Sequence, residues 1–450
     1  MKKRNPIMPH QEANSSRARI LAAARELFTT LPYHAASMRM IGEAAGVRHP
    51  LIPYHFGSKD GLFETVTQGL EDEILADLPR ILDSLDSRAE STLPPFVRAL
   101  LGHAFAHPAP FRAIMLNMGE SGTGRSLPGA ARMAVVRERV RSLLMERVLA
   151  GAPEEEVDRF LLVFITVLAH FIGAASFHVR SLGLSGEEAY RDWVSAMLAA
   201  VFGPALAALG EGRPLPVDRL LAACARDEAD RGASGEGEGG NSESRTKGEA
   251  SRAMILAAAR KVFSSRPYNA ASIRAVGQAG RFDFTLIHHY FPSKEELFGA
   301  VVEDLFEEFD RVADTWHQGL AGMPADELFS LYLSRALVYC VDNQEALGLI
   351  MHNIAQADRF ADLAGFDHIS RFHSRLFGQV ARLLPIRARD RRLPMWLYTL
   401  ITLVYSFTGA AEYPAAILGL SPRDPAWRRW ILETLLRTFL PAFQELEQEA

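Results

Sequence analysis

The residues best placed to do chemistry sit in two short stretches, "VRHPLIPYHFGSKDGLF" at 47–63 and "LIHHYFPSKEELF" at 286–298. Together they bring histidine, tyrosine, serine, lysine and arginine onto what reads as short helices. Three kinds of chemistry use such residues. Metal binding is the first, but the neighbours His288 and His289 point about 100° apart on a helix and chelate poorly. No cysteine or carboxylate cluster accompanies them or His49 and His55, so no metal is expected there. Nucleophilic catalysis is the second. Ser, His and Asp are scattered without a pairing motif, and there is no phosphate-cradling glycine loop, so no enzyme activity and no cofactor are expected. The third is contact with a polyanion, where hydroxyls and cations meet phosphates and base edges. Charge favours this last reading. The net charge of the 450 residues is −5, yet residues 1–70 hold 9 Lys/Arg against 5 Asp/Glu, and residues 245–300 hold 9 against 4. Two basic islands on an acidic body suit two surfaces for nucleic acid.

The elements that must hold these residues are read from an internal repeat. Residues 17–66 laid over 252–301 agree at 25 of 50 positions without a gap. Weaker echoes follow: "IMLN" at 114–117 and "IMHN" at 350–353, "GAA" at 173–175 and 409–411, "LGLS" at 182–185 and 418–421. Each half is therefore a full copy of one architecture. The periodicity is helical throughout, with no convincing strand. Ile20, Leu21, Ala24, Leu27 and Phe28 share one helical face, repeated by Ile255, Leu256, Ala259, Val262 and Phe263. Ser37 and Ser272 stand where N-caps are wanted, opening helices over 37–45 and 272–280. A turn at Gly46 leads to a helix near 48–56, and Ser58 caps a fourth. Longer amphipathic helices are expected near 94–107, 110–118, 128–150, 154–180 and 187–209, with counterparts from about 325 to 446. "GASGEGEGGNSESRTKGEA" at 232–250 reads as flexible linker; residues 215–230 before it could add a short helix. The domains expected are 14–70, 71–210, a linker 211–249, 250–305 and 306–450. The chain has no secretory signal pattern and no apolar run of spanning length, and its two cysteines, Cys224 and Cys340, suggest no disulfide framework. No membrane partner and a cytoplasmic location are expected.

Two short helices joined by a tight turn, the second with an exposed polar start, form a helix-turn-helix that would present a helix to the major groove of double-stranded DNA. On "RILAAARELF", "ASMRMIGEAAGV" and "LIPYHFGSKDGLF", residues 16–66 resemble the DNA-binding domain of TetR/AcrR-family transcriptional regulators. "MILAAARKVF", "ASIRAVGQAG" and "LIHHYFPSKEELF" resemble it again. The resemblance implies an all-α tandem of TetR-like units. Each is a three-helix DNA-binding head followed by a helical ligand-binding and dimerisation domain, and the two pair within one chain as a pseudo-dimer. It implies phosphate contacts from Ser37, Tyr54, His55 and Lys59 and base reading by Arg48, His49 and Pro50. In the second head Ser272, His289, Tyr290 and Lys294 take the phosphate positions, and Asp283, Phe284 and Thr285 the reading positions. Arg39 and Arg274 join the DNA-facing set.

The same resemblance implies pockets for a small apolar effector. Phe111, Met115, Met118, Phe164, His170, Phe171 and Phe177 are candidates in the first half. Tyr339, Met351, Trp396, Tyr398, Tyr405 and Phe407 are candidates in the second. Helices over 154–209 and 393–446 would form a four-helix interface, and pairing between chains as a homodimer is the alternative to pairing within one. Packing positions match between the copies, whereas 45–50, "AGVRHP", against 280–285, "GRFDFT", differ at all six places. The operator implied is an imperfect palindrome or a lone half-site. Arg281, where the first copy has Gly46, should need a positive φ that a non-glycine residue adopts at a cost of about 1 kcal/mol or more. Asp283 would either accept from cytosine N4 or repel the duplex; Phe282 and Phe284 would pack inward or meet a thymine methyl. Pro53 would remove one N–H from the reading helix. The competing reading is a helical interaction module whose heads no longer bind DNA specifically.

Overall fold

A computed structural model describes residues 9–82, 89–118, 130–233, 247–266, 268, 270–354, 366–383 and 390–448. Every regular element among them is an α-helix. The first half comprises α1 (Pro9–Phe28), α2 (Met38–Ala45), α3 (Leu51–Phe56), α4 (Lys59–Leu82), α5 (Ala89–Ala106), α6 (Ala109–Met118), α7 (Ala130–Arg147), α8 (Glu154–Gly173), α9 (Ala175–Ser181) and α10 (Glu187–Gly210). After α11 (Val217–Ala233) the order repeats. The second half runs α12 (Lys247–Ser265), α13 (Ile273–Gly280), α14 (Phe284–Tyr290), α15 (Lys294–Trp316), α16 (Ala325–Asp342), α17 (Gln344–Ile354), α18 (Phe366–Leu383), α19 (Arg392–Gly409), α20 (Glu412–Leu418) and α21 (Pro425–Gln448). Among the described residues the fold is all-α, one helical arrangement built twice in tandem.

The heads repeat atom by atom where packing decides. Ile20, Ala24 and Phe28, four residues apart, turn one face of α1 inward and are fully buried, as are Ile255, Ala259 and Phe263 on α12. Phe28, Tyr33 and Phe63 pack edge to face at 4.8–4.9 Å, matched by Phe263, Tyr268 and Phe298 at 5.1 Å. Such ring pairs add about 0.5–1.5 kcal/mol each beyond their burial.

The helix expected over 154–180 is broken. α8 and α9 meet at an 80° bend after Gly173, and α19 and α20 at 79° after Gly409. Both glycines lie at helix crossings. A Cβ on Gly173 would stand 2.7 Å from the Phe111 carbonyl oxygen and 2.9 Å from Met115 Cβ; one on Gly409 would stand 2.5 Å from the Leu347 oxygen. The repeated "GAA" thus marks where α8 touches α6 and α19 touches α17.

Between the halves, α10 lies along α21, flanked by α8 and α19. Arg159 on α8 donates to Thr434 Oγ1 (3.2 Å) and pairs with Glu433 (3.5 Å), while Arg437 on α21 pairs with Glu156 (3.3 Å). His178 Nδ1 meets the Tyr398 hydroxyl at 2.9 Å. α10 is long and apolar enough to cross a membrane by length and composition; here its apolar faces lie on α5, α19 and α21. Within the span 211–249, read from sequence as linker, α11 is a packed helix. It grips the second half through a bidentate Arg335–Asp227 pair (2.6 and 2.8 Å), Arg428–Glu228 (2.7 Å) and Cys224 on the Ser330 carbonyl. Residues 234–246 lie outside the described residues.

Candidate nucleic-acid interface

Each head builds its surface from a capped helix, a left-handed turn and a short exposed helix. Ser37 Oγ accepts from Met40 N–H (3.2 Å) and Ser272 Oγ from Ala275 N–H (3.1 Å), so both serines are N-caps as their positions suggest. Gly46 closes α2 at φ 60°; Arg281 closes α13 at φ 57° and is the one non-glycine residue with positive φ among those described. The preceding position explains how the second turn differs. Gly280 replaces Ala45, and the ring of Phe282 lies so close that a Cβ there would stand 1.9 Å from its Cε1. Phe282 therefore packs inward, whereas Phe284 stays 45% exposed.

Arg48, His49 and Pro50 precede α3 rather than begin it. They form a turn in which the Arg48 and His49 carbonyls accept from Leu51 (3.0 Å) and Ile52 (3.2 Å) N–H groups. All three side chains are exposed. Pro53 is the third residue of α3, where a helix leaves its N–H unpaired anyway, so the expected loss does not arise. Ile52 is fully buried and anchors α3, while Tyr54 stands out at 76% exposure.

In the second head, Asp283 is the N-cap of α14. Its Oδ1 accepts from both the N–H and the hydroxyl of Thr285, each at 2.8 Å, and these bonds hold its carboxyl below the usual range. Asp283 and Thr285, two of the three residues assigned to reading, are thus tied to each other, with an anion at the helix N-terminus. His289 is exposed and Tyr290 half-buried, the reverse of the Tyr54–His55 order.

Other side chains assigned to phosphates are held by the protein. His55 Nε2 lies 2.9 Å from Ser16 Oγ on α1. Lys59 Nζ sits 4.1 Å above the Tyr33 ring, and Lys294 lies equally over Tyr268, its pKa lowered by burial. Arg39 pairs with Glu43 at 2.9 Å, and Arg274 is exposed. Sequence reasoning missed Arg17 and Arg252, whose guanidiniums lie 5.1 and 5.3 Å over Phe56 and Phe291 at the ends of α3 and α14. Their identity in the repeat was the available signal. It also missed Arg19, which reaches the Gly46 carbonyl (3.4 Å) and whose counterpart is the 56% exposed Met254.

The two heads join their bodies differently. Buried Asn117 on α6 accepts from the Tyr33 N–H (3.3 Å), and Asn353 on α17 does the same for Tyr268 (3.4 Å). The first head keeps a separate apolar core that reaches Ala109 and Ala113 of α6, whereas the second head's core runs unbroken into the body. α17 packs against α12, and at Gly348, where the first half has Arg112, a Cβ would stand 3.4 Å from the Ser264 carbonyl oxygen at the end of α12.

The expected effector pockets divide. Phe111, Met115 and Met351 are spent on the glycine crossings. Phe164 packs on Phe202 (5.0 Å), Phe171 stacks on His178 (4.4 Å), and Phe407 packs on Trp430 (5.6 Å). Met118 and Phe177 are buried core. His170 is buried at the junction of the halves with neither ring nitrogen hydrogen-bonded, and burial lowers its pKa to about 3. Tyr398 is taken up by His178. In the second half, Trp396 and Tyr405 line an apolar cavity of about 60 Å³ with Phe309, Trp316, Phe329 and Cys340. Tyr339 lies behind it, edge-on to Phe309 (4.9 Å).

The family model described as bacterial regulatory proteins, tetR family, matches residues 20–66 and again residues 255–301. No curated protein matches the chain. Both matched segments span a capped helix, a left-handed turn and an exposed helix, which points to a regulator rather than an enzyme. The chain thus carries, in tandem, two copies of the DNA-binding domain of tetR-family bacterial regulatory proteins, and these support a DNA-binding transcription regulator of TetR type.

Proposed function

We propose that this regulator is a repressor that works as a single-chain pseudo-dimer, its two unlike heads reading an imperfect palindrome. The observation that carries this reading is the pairing of like frames with unlike reading surfaces. Cores and caps coincide, whereas all six residues of the turn and reading end differ. Tethering makes the meeting of the halves intramolecular, at effective concentrations of order mM, and the α10–α21 packing supports it. In the first head Arg48 and His49 read bases, and Tyr54, Ser37 and Arg39 lie at phosphates; His55 and Lys59 keep their internal partners and help to fix α3. In the second, Arg274, Ser272, His289 and Tyr290 hold the backbone, while Lys294, over Tyr268 as Lys59 is over Tyr33, keeps its internal partner. The capped Asp283–Thr285 pair selects weakly, as an acceptor for cytosine N4. A small apolar effector enters the cavity beside Trp396 and Tyr405. At about 60 Å³ that cavity must widen to take it, which would displace α15 and the head it carries.

A second reading has specific support. Met254 in place of Arg19 and Asp283 in place of Arg48 take two arginines from beside the reading helix of the second head and put an anion there, as expected of one that adds only backbone contacts. Selection of bound duplexes from a random pool separates the two, using wild type, the double variant Arg48→Ala/His49→Ala, and Asp283→Ala. The proposal expects two unequal half-sites, with enrichment of one lost in each variant. Enrichment of a single half-site, lost only in the first variant, would mean that the second head reads nothing. No enrichment with wild type would refute the DNA-reading assignment itself.

A further inference from the structure

Away from both heads, α4 and α5 bring together Asp77, His103 and His107. We propose that these three residues form a binding site for a divalent transition-metal ion, present in the first half only. His103 and His107 are four residues apart, so their rings share one face, unlike the adjacent pair His288–His289. Their ring centroids lie 4.8 Å apart, and His103 Nδ1 lies 3.1 Å from Asp77 Oδ2. One donor atom from each residue falls within 4.8 Å of the other two.

Around an ion bound at about 2.0–2.2 Å, tetrahedral donors stand roughly 3.3 Å apart. The Asp77–His103 pair already has that separation. His107 is exposed at the end of α5, where a side-chain rotation closes the remaining gap. The His103 side chain is only 8% exposed and its Nδ1 already faces Asp77, so this pair is placed to ligate without rearrangement. Arg80 bonds the other Asp77 oxygen at 3.2 Å, but its side chain is 80% exposed and leaves Oδ2 accessible.

Two imidazoles and one carboxylate, with the remaining positions left to water, suit Zn²⁺, Ni²⁺ or another borderline cation rather than Mg²⁺. With the echoes "IMLN" and "IMHN" aligned, the second half has Tyr339 and Asn343 at the histidine positions, so it lacks the site. The position gives the ion leverage. One turn before Asp77, Glu73 holds Arg25 of α1 in a bidentate pair (2.6 and 2.7 Å), so an ion here would pin α4 to α5 beside the first head's attachment.

Titration calorimetry on the full chain with ZnCl2, NiCl2 and MgCl2 tests this. His107→Ala, Asp77→Asn and the control His288→Ala/His289→Ala would be compared with wild type, and circular dichroism would confirm that each variant folds. The expected result is one Zn²⁺ or Ni²⁺ per chain, no Mg²⁺ binding, and at least tenfold weaker affinity in His107→Ala and Asp77→Asn alone. Equal binding by wild type and both site variants, binding lost only in the control, or no binding to wild type would each overturn the proposal.

Discussion

Acid should loosen this protein at the junction of its halves. His170, His178 and His373 are buried there, and burial is the first cause lowering each pKa, to about 3 for His170 and about 4 for His373. His178 spends one nitrogen on Tyr398, and His373 lies 3.3 Å from the Tyr405 hydroxyl. The folded state holds these rings neutral, while the unfolded chain protonates them near pH 6.5. A depressed folded pKa means that the unfolded state binds more protons below pH 6.5. The stability is thus present above that pH and lost as the pH falls toward the folded values. Each group contributes a slope of about 1.4 kcal/mol per pH unit, or about 2 kcal/mol between pH 6.5 and 5.0. That figure needs only a folded pKa well below 5. His170 and His373 together give about 4 kcal/mol, a large part of the whole stability of many domains, and His178, lowered in the same direction, adds to it. Buried His352, with a pKa near 4, adds a fourth away from the junction. Urea unfolding followed by circular dichroism at pH 7.5, 6.5, 5.5 and 5.0 would measure the slope. His170→Leu removes one titrating ring and two unbonded nitrogens. It should reduce the slope by about 1.4 kcal/mol per pH unit without lowering stability at pH 7.5. An unchanged slope in that variant would refute the reasoning.

The turn and the helix crossings give two further expectations. Gly46→Ala should cost about 1 kcal/mol, because its φ of 60° is left-handed, whereas Arg281→Gly should leave thermal stability unchanged or raise it by up to about 1 kcal/mol; a lower melting temperature for Arg281→Gly, or an unchanged one for Gly46→Ala, would contradict this. Gly409→Ala should destabilise by about 1–3 kcal/mol, because its new methyl meets the Leu347 carbonyl at 2.5 Å; an unshifted urea midpoint would contradict the crossing.

The sequence made the heads legible because local chemistry and packing agree there. A four-residue apolar spacing, a serine before each α2-like helix and a glycine at the turn each mean one thing, and Arg281 in place of that glycine stands out as the odd residue. Asp283 was harder, since an acid before a short helix is both a possible reader and a good cap, and only geometry chooses. The breaks after Gly173 and Gly409 were hidden because the apolar run continues across them. What bends the chain is the approach of α6 and α17. The effector candidates were chosen as large residues on apolar helices, a property shared by packing residues such as Met115 and by cavity walls such as Trp396. Asp77 and His103 are 26 positions apart, so their meeting depends on how α4 lies on α5.

The central claim is that one chain presents two unlike heads to one operator. The most direct measurement is the mass, by light scattering, of the complex formed on the best duplex from the selection, together with its cleavage-protection pattern. The account predicts one chain of 49.7 kDa per duplex, protecting two unequal half-sites about one helical turn or a multiple of it apart. Two chains per duplex over identical half-sites would mean that like heads pair across chains, and would contradict it.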